Sequence, residues 1–88
     1  MENIKLVYNV TKRFRSQAKF AILREMGRSL PFSVRIPKET VASESIIWPR
    51  KHILLRQLQE EFESMSNQTF IFELSSVGND WIITMKQL

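Results

Sequence analysis

Few residues of this chain could make or break bonds. His52 is the only histidine, and there is no cysteine. Nucleophilic catalysis needs a base within hydrogen-bond reach and a third group to orient it, and no such trio is suggested by spacing. Glu60, Glu61 and Glu63 form the one acidic cluster, on a helix whose other face is apolar. A metal site needs several His, Cys, Asp or Glu at ligand spacing, so three adjacent glutamates read better as a solvated helix face. The only glycines are Gly27 and Gly78, too few for a loop that cradles phosphate. No catalytic residue, metal ligand or cofactor is therefore assigned. A small ribonuclease built from basic and polar groups is the enzymatic alternative.

The basic residues carry a stronger pattern. Lys12, Arg13, Arg15, Lys19, Arg24 and Arg28 fall within Thr11–Arg28, where the only acid is Glu25, and Lys5 stands just before. Residues 1–38 hold nine Lys/Arg against two Glu, a net +7, while residues 39–88 hold four against seven, a net −3. Segregated charge suggests an anionic partner for one face, the plainer alternative being a solvated face that only aids solubility. On a helical wheel Arg13, Gln17, Phe20, Arg24 and Arg28 share one line. Arginines neutralise phosphates, and Phe20 among them could stack on an unpaired base, although a helix buried on two sides, with Phe20 in the core, is the reading the pattern favours. Arg50 and Lys51 add cations at the start of a second helix whose far end is acidic. This opposes the helix dipole, at about 0.3–1 kcal/mol per exposed charge, and would suit a bound phosphate or carboxylate. Pairs such as Arg56 with Glu60, or Arg50 or Lys51 with Glu44, would compensate locally.

Eighty-eight residues, 43% hydrophobic and 25% charged, suit one soluble α/β domain over 1–88 with one modest core. No apolar run approaches the ~20 residues of a membrane span, and MENIKLVYNV does not read as a signal peptide. A cytoplasmic protein is the expectation, and the lack of cysteine fits a reducing compartment.

The elements that would position the cations follow from periodicity. Ile4, Leu6, Tyr8 and Val10 alternate with Lys5, Val7 and Asn9, which predicts a first strand at about 3–10. Thr11 then caps a helix to Arg28 with Phe14, Ala18, Ala21, Ile22 and Met26 as its core stripe, ended near Gly27. Phe32, Val34 and Ile36 predict a second strand at about 31–36, closed by Pro37. In residues 38–48, Ile46-Ile47-Trp48 reads as a short edge strand or a hydrophobic plug. Pro49 opens a second helix at about 49–65 with Leu54, Leu55, Leu58, Phe62 and Met65 as its stripe, ended near Asn67. Residues 69–88 read as a β-hairpin turning at Val77-Gly78-Asn79-Asp80.

The order β-α-β-α-β-β predicts an α+β two-layer sandwich, two helices on one face of a four-stranded mixed sheet. If residues 46–48 form a strand, the alternative is a ferredoxin-like fold with an extra C-terminal strand. The predicted order is similar to that of small two-layer nucleic-acid-binding domains, among them the C-terminal domain of bacterial translation initiation factor three and the archaeal Alba chromatin proteins. The likeness lies in element order and size, so no functional residue is carried over from it.

Two functional expectations result. The first is a non-enzymatic RNA- or DNA-binding protein that grips phosphates with Lys12, Arg13, Arg15, Lys19, Phe20, Arg24, Arg28, Arg50 and Lys51. The second is a small interaction module, an accessory subunit or an inhibitor, docking an acidic protein surface with the same helix. The outer sheet face would serve it too. With Leu6, Tyr8, Val34, Phe72 and Ile83 inward, Lys5, Val7, Arg35, Ile71, Ile82, Thr84 and Lys86 face out, three aliphatics among cations that suit a partner or a homodimer. No membrane partner is expected.

Overall fold

The computed structural model describes residues 4–41 and 44–88. Its first element is helix α1, Ile4–Glu25, and not a strand followed by a helix. Ile4, Leu6, Tyr8 and Val10 do repeat every two residues, but Val7, Thr11, Phe14, Ala18 and Ala21 continue a three-four spacing through the same stretch. No glycine or proline lies between residues 4 and 26 to stop a helix. Once the downstream turns have nucleated, each added residue gains a hydrogen bond at little further cost, whereas a strand needs a partner edge. Thr11 is consequently inside the helix rather than its cap, its Oγ1 donating to the Tyr8 carbonyl at 3.0 Å. The helix stops at Glu25, so Arg28 lies beyond it, past Gly27 at φ +105°.

Strand β1 spans Phe32–Pro37. Two single turns follow, α2 (Lys38–Val41) and α3 (Glu44–Ile47), then a 3-10 turn at Trp48–Arg50 that runs into α4, Lys51–Ser66. The segment 38–48 thus contributes no strand among its described residues. Residues 42 and 43 of it, like residue 3 of the expected first strand, lie outside the described ones. Ile47 is fully buried, the plug that its neighbours suggested. Asn67 ends α4 in the left-handed conformation, its N–H bonded to the Glu63 carbonyl. Strands β2 (Phe70–Val77) and β3 (Asp80–Gln87) form the expected hairpin around Gly78, at φ +58°.

The sheet has three strands, not four. It is antiparallel throughout, in the order β1-β3-β2, with Val34 and Leu74 both opposite Ile83. The class is α+β, but both four-stranded sheets and ferredoxin-like arrangements are overturned, and with them the likeness in element order to the two-layer nucleic-acid-binding domains. Helix α1 lies over β1 and α4 over β2. The two long helices run in the same direction, Val7 and Thr11 facing Ile53 and Leu54, and Lys19 pairing with Glu61 about two turns on.

One face of every strand is buried: Phe32, Val34 and Ile36, Phe70, Phe72 and Leu74, Trp81, Ile83 and Met85. These meet Phe14, Ala18 and Ile22 of α1 and Leu54, Leu58 and Phe62 of α4. Trp81 is at the centre, edge-on to Phe14 at 6.0 Å and stacked with Trp48 at 6.2 Å. Such aromatic pairs add about 0.5–1.5 kcal/mol beyond the area they bury. Lys38 closes the end of this core. Its Nζ donates to Ser76 Oγ and the Gly78 carbonyl and pairs with Glu44, 5.0 Å from the Trp81 ring centroid.

Candidate functional site

Because Phe14, Ala18 and Ile22 fix which side of α1 faces the core, helical geometry decides which side faces water. Taking 100° per residue, Lys5, Asn9, Lys12, Arg13, Ser16, Gln17, Phe20, Leu23 and Arg24 occupy the opposite sector, roughly 140° wide. All of these are exposed. Phe20 is 64% exposed, so it is not a core residue. The Arg24 guanidinium lies 5.9 Å from its ring centroid, and Arg13, Ser16, Gln17 and Phe20 together line a shallow depression. Lys12 sits 5.8 Å from the Tyr8 ring. Among the described residues, Lys5, Lys12, Arg13 and Arg24 make no ion pair.

The other cations of the expected site are placed elsewhere. Arg28 pairs with Glu25 at 3.2 Å and lies over the Phe32 ring. Lys19 reaches across to Glu61 at 3.9 Å. Arg15 is turned toward α4, where it lines a groove with Gln57, and its Nε is buried with no hydrogen-bond partner among the described residues. Arg50 lines the same groove and donates from Nη1 to the Ile46 carbonyl at 3.0 Å. Lys51 lies 4.0 Å from the Trp48 ring centroid, and its N–H already bonds the Trp48 carbonyl. The start of α4 therefore does not join the outer face of α1 as one surface. Neither compensating pair forms: Glu44 takes Lys38 in place of Arg50 or Lys51, and Arg56 does not pair with Glu60.

The outer sheet face also differs from expectation. Lys5 and Val7 belong to α1, as do Leu6 and Tyr8, which are exposed and not inward sheet residues. Arg35 pairs with Asp80 at 3.5 Å and Lys86 with Glu73 at 2.7 Å, while Ser33 and Thr84 share a hydrogen bond of 2.8 Å. That leaves Ile71 and Ile82 as the aliphatics of a face whose cations are neutralised in place.

A depression of about 660 Å³ at the end of the sheet is lined by Pro37, Lys38, Glu39, Asn79 and Asp80. Among the described residues no three His, Asp or Glu come together, and no helix is long and apolar enough to cross a membrane. No protein-family model matches the chain, and no curated protein or solved structure is significantly similar to it.

Proposed function

We propose that the chain is a non-enzymatic nucleic-acid-binding protein that grips the phosphate backbone with the outer face of α1. The observation that carries this reading is an exposed aromatic, Phe20, set among Lys12, Arg13 and Arg24, cations with no carboxylate of their own among the described residues. Such cations are already unpaired before binding, so a phosphate displaces only their counterions, whose release favours association. Gln17, beside Phe20, is also of a type that reaches base edges when a helix enters a groove. Arg28, Lys19 and Lys51 are engaged within the fold and contribute less.

The test is fluorescence anisotropy with single-stranded RNA, single-stranded DNA and duplex DNA. Reversing Arg13→Glu and Arg24→Glu together should weaken binding to every sequence alike, and Phe20→Ala should weaken the single strands by about 1–3 kcal/mol while sparing the duplex. Wild-type affinity in the double reversal would remove α1 from the interface.

A further inference from the structure

The sheet has two outer edges, and they are not alike. The Lys38 N–H donates to the Asn79 carbonyl and continues the β1–β3 ladder, so Phe32, Val34 and Ile36 bond β3 while Ser33 and Arg35 turn outward. That edge is short, carries a charge and is closed by Pro37, which has no N–H. On the other side the Leu88 N–H donates to the Thr69 carbonyl, so Ile71, Glu73, Ser75 and Val77 exchange bonds with β3. The backbone groups of Phe70, Phe72, Leu74 and Ser76 therefore point away from the sheet, and no bond to them forms among the described residues. Strand β2 is eight residues long and holds no lysine, arginine or proline, the residues that usually blunt an edge.

Such an edge accepts another strand, and the residues of β2 select which. Antiparallel pairing with a second copy about a two-fold axis at Leu74 sets Ile71 opposite Val77 and Glu73 opposite Ser75 on the solvent face, apolar on apolar and acid on hydroxyl. An axis at Glu73 sets that glutamate against its own copy. Axes at Phe72 or Ser75 set it against Ile71 or Val77, so one register is favoured. Helix α4 adds charge complementarity. Since α1 lies over β1 and α4 over β2, the side of α4 turned from α1 faces beyond this edge. His52 and Arg56 lie on that side near its start and Glu63 near its end, all exposed and outside any ion pair among the described residues. The two-fold axis brings the start of one α4 beside the end of the other, so the charge order that opposes the helix's own dipole is complementary between copies.

We propose that β2 pairs with β2 of a second copy of the chain, antiparallel about Leu74, to form one continuous six-stranded sheet. The blunted β1 edges end that sheet, so association stops at two. The basic faces of α1 stand over the far edges, away from the axis, and pairing does not depend on what they bind.

The experiment is sedimentation equilibrium of the full chain, without nucleic acid, over about a hundredfold range of concentration. The mass rises from one chain to two and no further. Ile71 is 38% exposed and Val77 57%, so both accept a charge with the fold intact, which circular dichroism checks. Ile71→Glu with Val77→Glu sets like charges opposite and raises the dimer dissociation constant at least about tenfold. Ile71→Glu with Val77→Lys sets opposite charges there and leaves it within about threefold. Register is read by oxidation, because the chain has no cysteine of its own and residues directly opposite lie about 4.5–5.5 Å apart at Cα, within disulfide reach. A mixture of Ile71→Cys and Val77→Cys chains forms a linked dimer and neither does alone, a result that stands even where a charged variant fails to fold. A chain that stays monomeric, assembly beyond two, or equal weakening by both charge pairs overturns the proposal. So does a mixture that fails to link, or either cysteine variant linking to itself.

Discussion

From Phe14 onward α1 places Phe14, Ala18 and Ile22 in the core with no exposure, whereas the half from Ile4 to Arg13 has no fully buried residue and leaves Ile4 84% exposed. The two halves share one backbone, one helical period and an apolar stripe on the same side. What separates them is the sheet: a 22-residue helix is about 33 Å long, and six- to eight-residue strands reach only about 20–26 Å. The C-terminal half is held by tertiary packing and the N-terminal half by helix propagation from it. The stripe thus continues past the core that its spacing was suited to, and its unfilled part becomes the wall of a groove.

This contrast is broken first at Phe14. Replacing Phe14 by Ala empties the space beside Trp81 and should lower stability by about 3–5 kcal/mol in denaturant unfolding. Leu6→Ala removes a side chain of similar apolarity that is half exposed, and should cost less than about 0.5 kcal/mol. Similar losses at both positions would show that the N-terminal half is packed after all. Amide exchange sharpens the same point, since protection should rise from near zero at residues 4–8 toward the global value at residues 18–22. The smallest effect belongs to the sheet's open face. Glu73→Gln, which breaks the exposed pair with Lys86, should change stability by no more than about 0.5 kcal/mol.

The parts of the fold that were legible in the sequence are those specified locally. Gly78 and Asn79 between two alternating runs announce the hairpin, Pro49 and Asn67 bracket the second helix, and Pro37 closes β1. Residues 4–10 were not legible because β-branched and aromatic residues there satisfy both periods, and the choice between them depends on a free sheet edge that only tertiary structure reveals. The inner and outer sides of α1 follow from Phe14, Ala18 and Ile22, which is why Arg13 and Arg24 could be placed on one line. The groove had no such signal. It arises from how α1 and α4 lie against each other, and it assigns Arg15 and Arg50 to a different surface from the arginines beside them in sequence.

The most direct test of the account is the salt dependence of binding to duplex DNA. With Lys5, Lys12, Arg13 and Arg24 on phosphates, the logarithm of the association constant should fall against the logarithm of salt with a slope of about −3 to −4. Reversing Arg13 and Arg24 should bring that slope to about −2 or less. A chain that does not bind even at low salt, or whose slope is the same after the two reversals, would contradict the claim that the outer face of α1 grips phosphate.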